Sequence, residues 1–245
     1  AGDSGLPTEL NWTLPEGVSV GAIDWPTPRK FPIGPLANYG YDGTVVLGTV
    51  DGGAGLDTRT YDIDTTASFG ALANFEGLTK SGTGVLNVSG PGATDLQQVE
   101  VLAGTLNVAA GASIVATVGS PLATMVAAGA TLNVDGDFGC GAGNDSLTVS
   151  GTLGGTGTVG LCDGDDTLTL NDGADLSGLA NPIDAGAGVA DTVVLDNAGA
   201  LALDSGKVAN FEMLQKDSTG EATLTGDHGF VGGVLLNAGA LTVAD

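Results

Sequence analysis

The chain has 245 residues, of which 42% are hydrophobic but only 4% aromatic, with 43 glycines and a formal charge of −23. Six basic residues against 29 acidic ones exclude nucleic acid and anionic membrane as partners by repulsion. No apolar run approaches the roughly 20 residues that a transmembrane helix needs, glycine shows no three-residue collagen period, and aliphatic residues recur too evenly for a disordered chain.

Residues 1–37 differ in texture from the rest. Six of the nine prolines lie there, with Trp12, Trp25, Arg29 and Lys30, and Tyr39 follows closely. Proline cannot donate to a β-ladder. The segment therefore reads as an irregular lead or cap, covering a hydrophobic cross-section that a stack of strands would otherwise expose. An aromatic binding patch around Trp12, Trp25 and Tyr39 is the alternative. Ala1 begins without the basic and apolar regions of a signal peptide, so the chain reads as mature or excised material.

From residue 38 to 245 the sequence repeats. ANFEGLTKSGTGVLNVSG, Ala73 to Gly90, aligns with ANFEMLQKDSTGEATLTG, Ala209 to Gly226; AGTLNV, Ala103 to Val108, aligns with AGALTV, Ala238 to Val243. These form two blocks, 73–108 and 209–243. Between them run short alternating strands bounded by Gly, Asn or Asp: GATLNV from Gly129, DSLTV from Asp145, GTLGGTGTV from Gly151, DTLTL from Asp166, DTVVL from Asp191 and ALALDSG from Ala200. Equivalent strands return about every 20 to 26 residues, a period that fits one coil of a parallel β-helix. Coils stacked at about 4.8 Å would build a rod on the order of 40 Å long. A sandwich of hairpins is the competing fold, but it would not explain a long repeated block and would normally carry core Trp or Tyr.

GLTKSGTGVLNVSG, Gly77 to Gly90, with VEVLAGTLNVAAG, Val99 to Gly111, resembles the autotransporter-associated β-strand repeat in passenger domains of Gram-negative type V secretion proteins. The second copy, Met213 to Gly226 with Val234 to Asp245, is similar but departs from the pattern at Asp217, Glu221 and Ala222. The resemblance covers about a quarter of the chain. It implies a right-handed parallel β-helix exported through the periplasm and outer membrane to the cell surface, and a translocating β-barrel elsewhere in the precursor. Passengers of this family are most often adhesins, aggregation factors or other virulence-related surface proteins, with a minority of enzymes.

Two cysteines, Cys140 and Cys162, lie 22 residues apart, one coil, which would bring equivalent α-carbons within disulfide range; two free thiols, or a reactive or metal-bound thiol, are the alternatives, and an oxidised pair would place the chain outside the cytoplasm. G-x-G-N-D-x-L at Gly141–Leu147 and G-x-D-x-L at Gly164–Leu168 resemble the calcium-binding nonapeptide of secreted repeat toxins, although here the motif returns once per coil rather than every nine residues. Asp145, Asp166 and Asp191 would then form a column, with Asp163 and Asp165 beside it. Either the column takes calcium, or its members are turn formers on a solvated corner. The sole histidine, His228, sits beside Asp227 in a Gly-rich turn with no nucleophile motif aimed at it, and one histidine cannot make a zinc cluster.

The solenoid's cations after Arg59 are Lys80, Lys207 and Lys216, two of them at equivalent repeat positions, which points to a scaffold role. No cofactor motif is present. The Asn-x-Ser/Thr triplets at Asn11, Asn87 and Asn144 arise easily by chance. The sequence thus leads to a non-enzymatic adhesive passenger touching host surface, extracellular matrix or sister cells through ladders of Asn, Thr, Ser and Asp. Its rivals are a plain stalk or export scaffold and a polysaccharide-acting β-helix enzyme.

Overall fold

The computed structural model describes residues 46–116, 120–139 and 141–244. The expected leading segment, 1–37, with its Trp12 and Trp25, lies outside the described residues, as do Tyr39 and Cys140. The described chain is all β apart from one 3-10 turn at Ser205–Lys207, and every strand pairing in it is parallel. It is a parallel β-solenoid, as the period predicts; no hairpin pairing of the rival sandwich occurs among the described residues.

The second sheet sets the count, with nine strands and one per coil. They start at Thr58, Gly77, Gln98, Ala123, Ser146, Thr167, Thr192, Met213 and Gly233, so a coil consumes 19 to 25 residues. The first sheet begins with long strands that turn a corner while still paired. Strand Val85–Leu96 gives its first half to Thr105–Val108 and its second half to Ser113–Ala116. Beyond that point the two halves are separate columns: Thr105–Val108, Thr131–Val134 and Thr152–Gly154 on one, and Ser113–Ala116, Asp137–Phe138, Thr158–Gly160, Ile183–Asp184 and Val208–Ala209 on the other. A third sheet, Leu201–Asp204, Glu221–Thr225 and Ala240–Ala244, closes the last coils.

Alternation decides what faces inward. In Thr105–Val108 and Thr131–Val134 the second and fourth residues are buried and the others half-exposed. In-register pairing therefore stacks like on like: Leu86, Leu106, Leu132 and Leu153 form one column, and Val88, Val108 and Val134 another. Each of these seven side chains is fully buried, worth roughly 1.5–3 kcal/mol apiece in transfer from water. Tyr61 stacks on Phe69 with ring centroids 5.4 Å apart at the start of this core, and Phe75, Phe138 and Phe211 are the other buried aromatics among the described residues.

The repeated Ala-Gly pair also has a mechanical cause. Gly104 and Gly239 have φ of 64° and 74°, and a Cβ on either would collide with the carbonyl oxygen of Gly84 or Gly220 one coil below. Those two lower glycines are themselves equivalent in the two blocks. The repeat therefore preserves a turn in which backbone stacks directly on backbone.

Candidate functional site

One corner of the solenoid carries a column of acids. The residue just before each strand of the second sheet is in turn Asp57, Glu76, Gln97, Leu122, Asp145, Asp166, Asp191, Glu212 and Gly232. Asp145, Asp166 and Asp191, singled out from the sequence, do stack, but not on a solvated corner. Their exposures are 2%, 0% and 0%, because each carboxylate folds under its own turn and reaches one coil down the rod. Asp145 Oδ1 accepts from the Leu122 amide at 2.5 Å, Asp166 Oδ1 from the Asp145 amide at 2.6 Å, and Asp191 Oδ1 from the Asp166 amide at 2.6 Å. Glu212 continues the ladder by accepting the Asp191 amide at 2.9 Å through Oε2.

Each Asp uses one oxygen for this bond. The other, Oδ2, is buried without a hydrogen-bond partner in all three. Burial of charge pushes the Asp145 and Asp166 carboxyls up to about 6, with the amide bond to each opposing the shift, and Asp191 is raised for the same first reason. The neighbouring charges of Asp145, Asp191 and Asp165 add to the rise at Asp166. Asp163 and Asp165 sit on the exposed side of the corner as expected, and Asp165 Oδ1 accepts from the Val189 and Ala190 amides, both at 3.2 Å. Among the described residues no three His, Cys, Asp or Glu side chains converge as metal ligands.

The repeated blocks prove to be corner hardware of the same kind. In A-N-F-E, Asn74 and Asn210 adopt φ of 54° and 60°, and their amides donate to Asp51 and Asp184 of the preceding coil at 2.7 Å each. Phe75 and Phe211 enter the core. Glu76 caps the Asp57 amide at 2.7 Å, just as Glu212 caps Asp191. Sequence reasoning missed these glutamates, although a four-residue block returning intact was the available signal.

Lys80 and Lys216 occupy inward core positions and are fully buried. Lys80 Nζ donates to the carbonyls of Ser81, Gly82 and Ala103 at 2.6, 2.8 and 3.2 Å; Lys216 Nζ donates to those of Asn197 and Ser218. Burial pulls the Lys80 ammonium below its ordinary value, against the nearby charges of Asp62 and Asp64. Lys207 Nζ is likewise spent on the Ser177 and Leu179 carbonyls. All three lysines hold turns.

On the outer face, Asn107 Nδ2 donates to Asn87 Oδ1 and Asn133 Nδ2 to Asn107 Oδ1, both at 2.8 Å, giving a polar ladder three coils long. His228 stacks on Phe230 with centroids 5.3 Å apart, and its Nε2 is buried without a partner. It lines a hollow of about 360 Å³ with Ser205, Asn210, Glu212 and Asp227 among others. Cys162 is exposed and disulfide-bonded, while the chain's other cysteine, Cys140, falls outside the described residues. No family model, curated protein or solved structure matches this chain.

Proposed function

We propose that this solenoid is the surface-displayed passenger segment of an autotransporter and works as a non-enzymatic adhesin, binding host surface, extracellular matrix or sister cells. The observation that carries the reading is the Asn87–Asn107–Asn133 ladder on a straight parallel stack. Side chains locked to one another present the same amide group at three successive coils and lose little further entropy on contact, so weak identical contacts add through avidity. Solenoids use extended surfaces of this kind. Export through the periplasm and outer membrane by a β-barrel elsewhere in the precursor belongs to the same proposal.

A second reading, a stalk or export-assisting scaffold, is favoured by the repeat blocks. The Asn, Phe, Glu and Lys side chains that the two blocks share (Asn74 and Asn210, Phe75 and Phe211, Glu76 and Glu212, Lys80 and Lys216) are consumed in holding corners, so what is common to the blocks serves the scaffold. Beads coated with the purified chain separate the two. An adhesin clumps the beads or retains them on matrix-coated wells, and Asn87, Asn107 and Asn133 changed together to Ala weaken retention several-fold. Inert beads at high coating density overturn the adhesive reading in favour of the stalk. Release of unsaturated or reducing sugar from acidic polysaccharides would overturn both.

A further inference from the structure

The acidic corner holds more oxygen than the fold uses. Asp145, Asp166 and Asp191 each satisfy a backbone amide with Oδ1 and leave Oδ2 buried and unpartnered. A buried carboxylate oxygen without a donor is costly, and three in a column at one-coil spacing repel one another. Among the described residues no side-chain cation answers them. Lys80, Lys207 and Lys216 are bound to turn carbonyls elsewhere, and Arg59 lies over the Tyr61 ring at 4.8 Å.

A second feature of the corner concerns space. A Cβ on Gly188 would collide with both carboxylate oxygens of Asp191 and with the Gly164 carbonyl oxygen of the coil below. The preceding coil repeats the arrangement: a Cβ on Gly164 would meet the Gly143 carbonyl oxygen and would stand 3.0 Å from Asp166 Oδ1. In both turns a carbonyl oxygen of one coil and a carboxylate of the next close on the glycine, which brings the two kinds of oxygen together at the corner. A shallow hollow of about 240 Å³, lined by Asn144, Gly164, Asp165 and Gly188, lies on the outer side of these turns.

We propose that calcium ions bind between coils at this corner, one between the Asp145 and Asp166 turns and one between the Asp166 and Asp191 turns. Each site joins carboxylate oxygen to turn carbonyl oxygen, with water completing the shell. Only two carboxylates serve any one site, in keeping with the lack of a three-acid cluster. An all-oxygen, flexible donor set of this kind suits calcium, which takes 6–8 ligands, better than magnesium, which demands near-ideal octahedral geometry. The ions clamp adjacent coils, and this holds whether the rod is an adhesin or a stalk.

The test uses the whole chain, dialysed against EGTA and then melted at pH 7.4 in EGTA, in 10 mM calcium chloride or in 10 mM magnesium chloride, with calorimetric titration by calcium chloride. A site of about 0.1 mM affinity raises the Tm by roughly 5–10 °C at 10 mM calcium, with a smaller magnesium effect. Asp166→Asn, common to both sites, loses most of the calcium shift, and the exposed control Asp137→Asn keeps it. If Asp166→Asn fails to fold, Asp191→Asn is expected to halve the binding stoichiometry. A Tm that calcium leaves unchanged, with no titration heat, overturns the proposal; so does a calcium shift as large in the aspartate variants as in the parent chain. Neither readout depends on bead clumping, so the adhesive reading stands or falls separately.

Discussion

In calcium-free buffer the aspartate column makes the solenoid less stable as pH rises from 4 to 7. Asp145 and Asp166 titrate near 6 in the folded chain against 3.8 for the free side chain. A group whose folded value is raised contributes stability that is whole below its unfolded value and is lost as pH passes its folded value, here between 3.8 and about 6. About two pH units correspond to about 3 kcal/mol for one carboxyl, and the two are coupled along the column, so their effects do not simply add. Asp64, Asp135 and Asp217 pull the other way, since hydrogen bonds from Thr83, Thr156 and Asn237 lower their values. A variant isolates the column from that background. Asp166→Asn keeps an oxygen to accept the Asp145 amide and never ionises. In EGTA it should melt with the parent chain at pH 4 and about 6–12 °C above it at pH 7. A difference that stays flat across that range refutes the reasoning.

Leu132→Ala, in the fully buried leucine column between Leu106 and Leu153, should cost about 3–5 kcal/mol in urea unfolding, and a loss under 1 kcal/mol would contradict the stacked core. Asn210 adopts a left-handed conformation, so Asn210→Ala should be less stable than Asn210→Gly by about 1 kcal/mol, and equal melting of the two would remove the conformational argument. Reduction of the Cys162 disulfide should lower stability by about 2–4 kcal/mol, read by melting with and without a phosphine reductant.

The solenoid was legible because a coil is a local object. Leu and Val at alternate positions in DTLTL or AGTLNV state which face is inward, and the return of the pattern states the coil length; stacking then needs no further information. The Asp column was legible as a column, from its spacing, but its burial was not. Aspartate beside glycine describes a solvated turn equally well, and what draws Asp166 inward is the Asp145 amide of another coil, a partner that no local window contains. The equivalent repeat positions of Lys80 and Lys216 pointed to their scaffold role, but their burial was hidden for a related reason. A basic residue at an inward position contradicts the alternation, and only the three carbonyls gathered around Lys80 Nζ make the position tolerable. His228 and its hollow lie where the last turn leaves the regular pattern, between Gly226 and Gly233, so period carried no information there.

The uniformly parallel register has a consequence for load. Every inter-coil hydrogen bond points along the rod, so tension between the two ends peels coils singly instead of shearing whole sheets. A coil of 19 to 25 residues occupies one strand spacing while wound. Released, it pays out roughly 60–90 Å of chain. A rod built this way lengthens in steps of one coil when tension releases it.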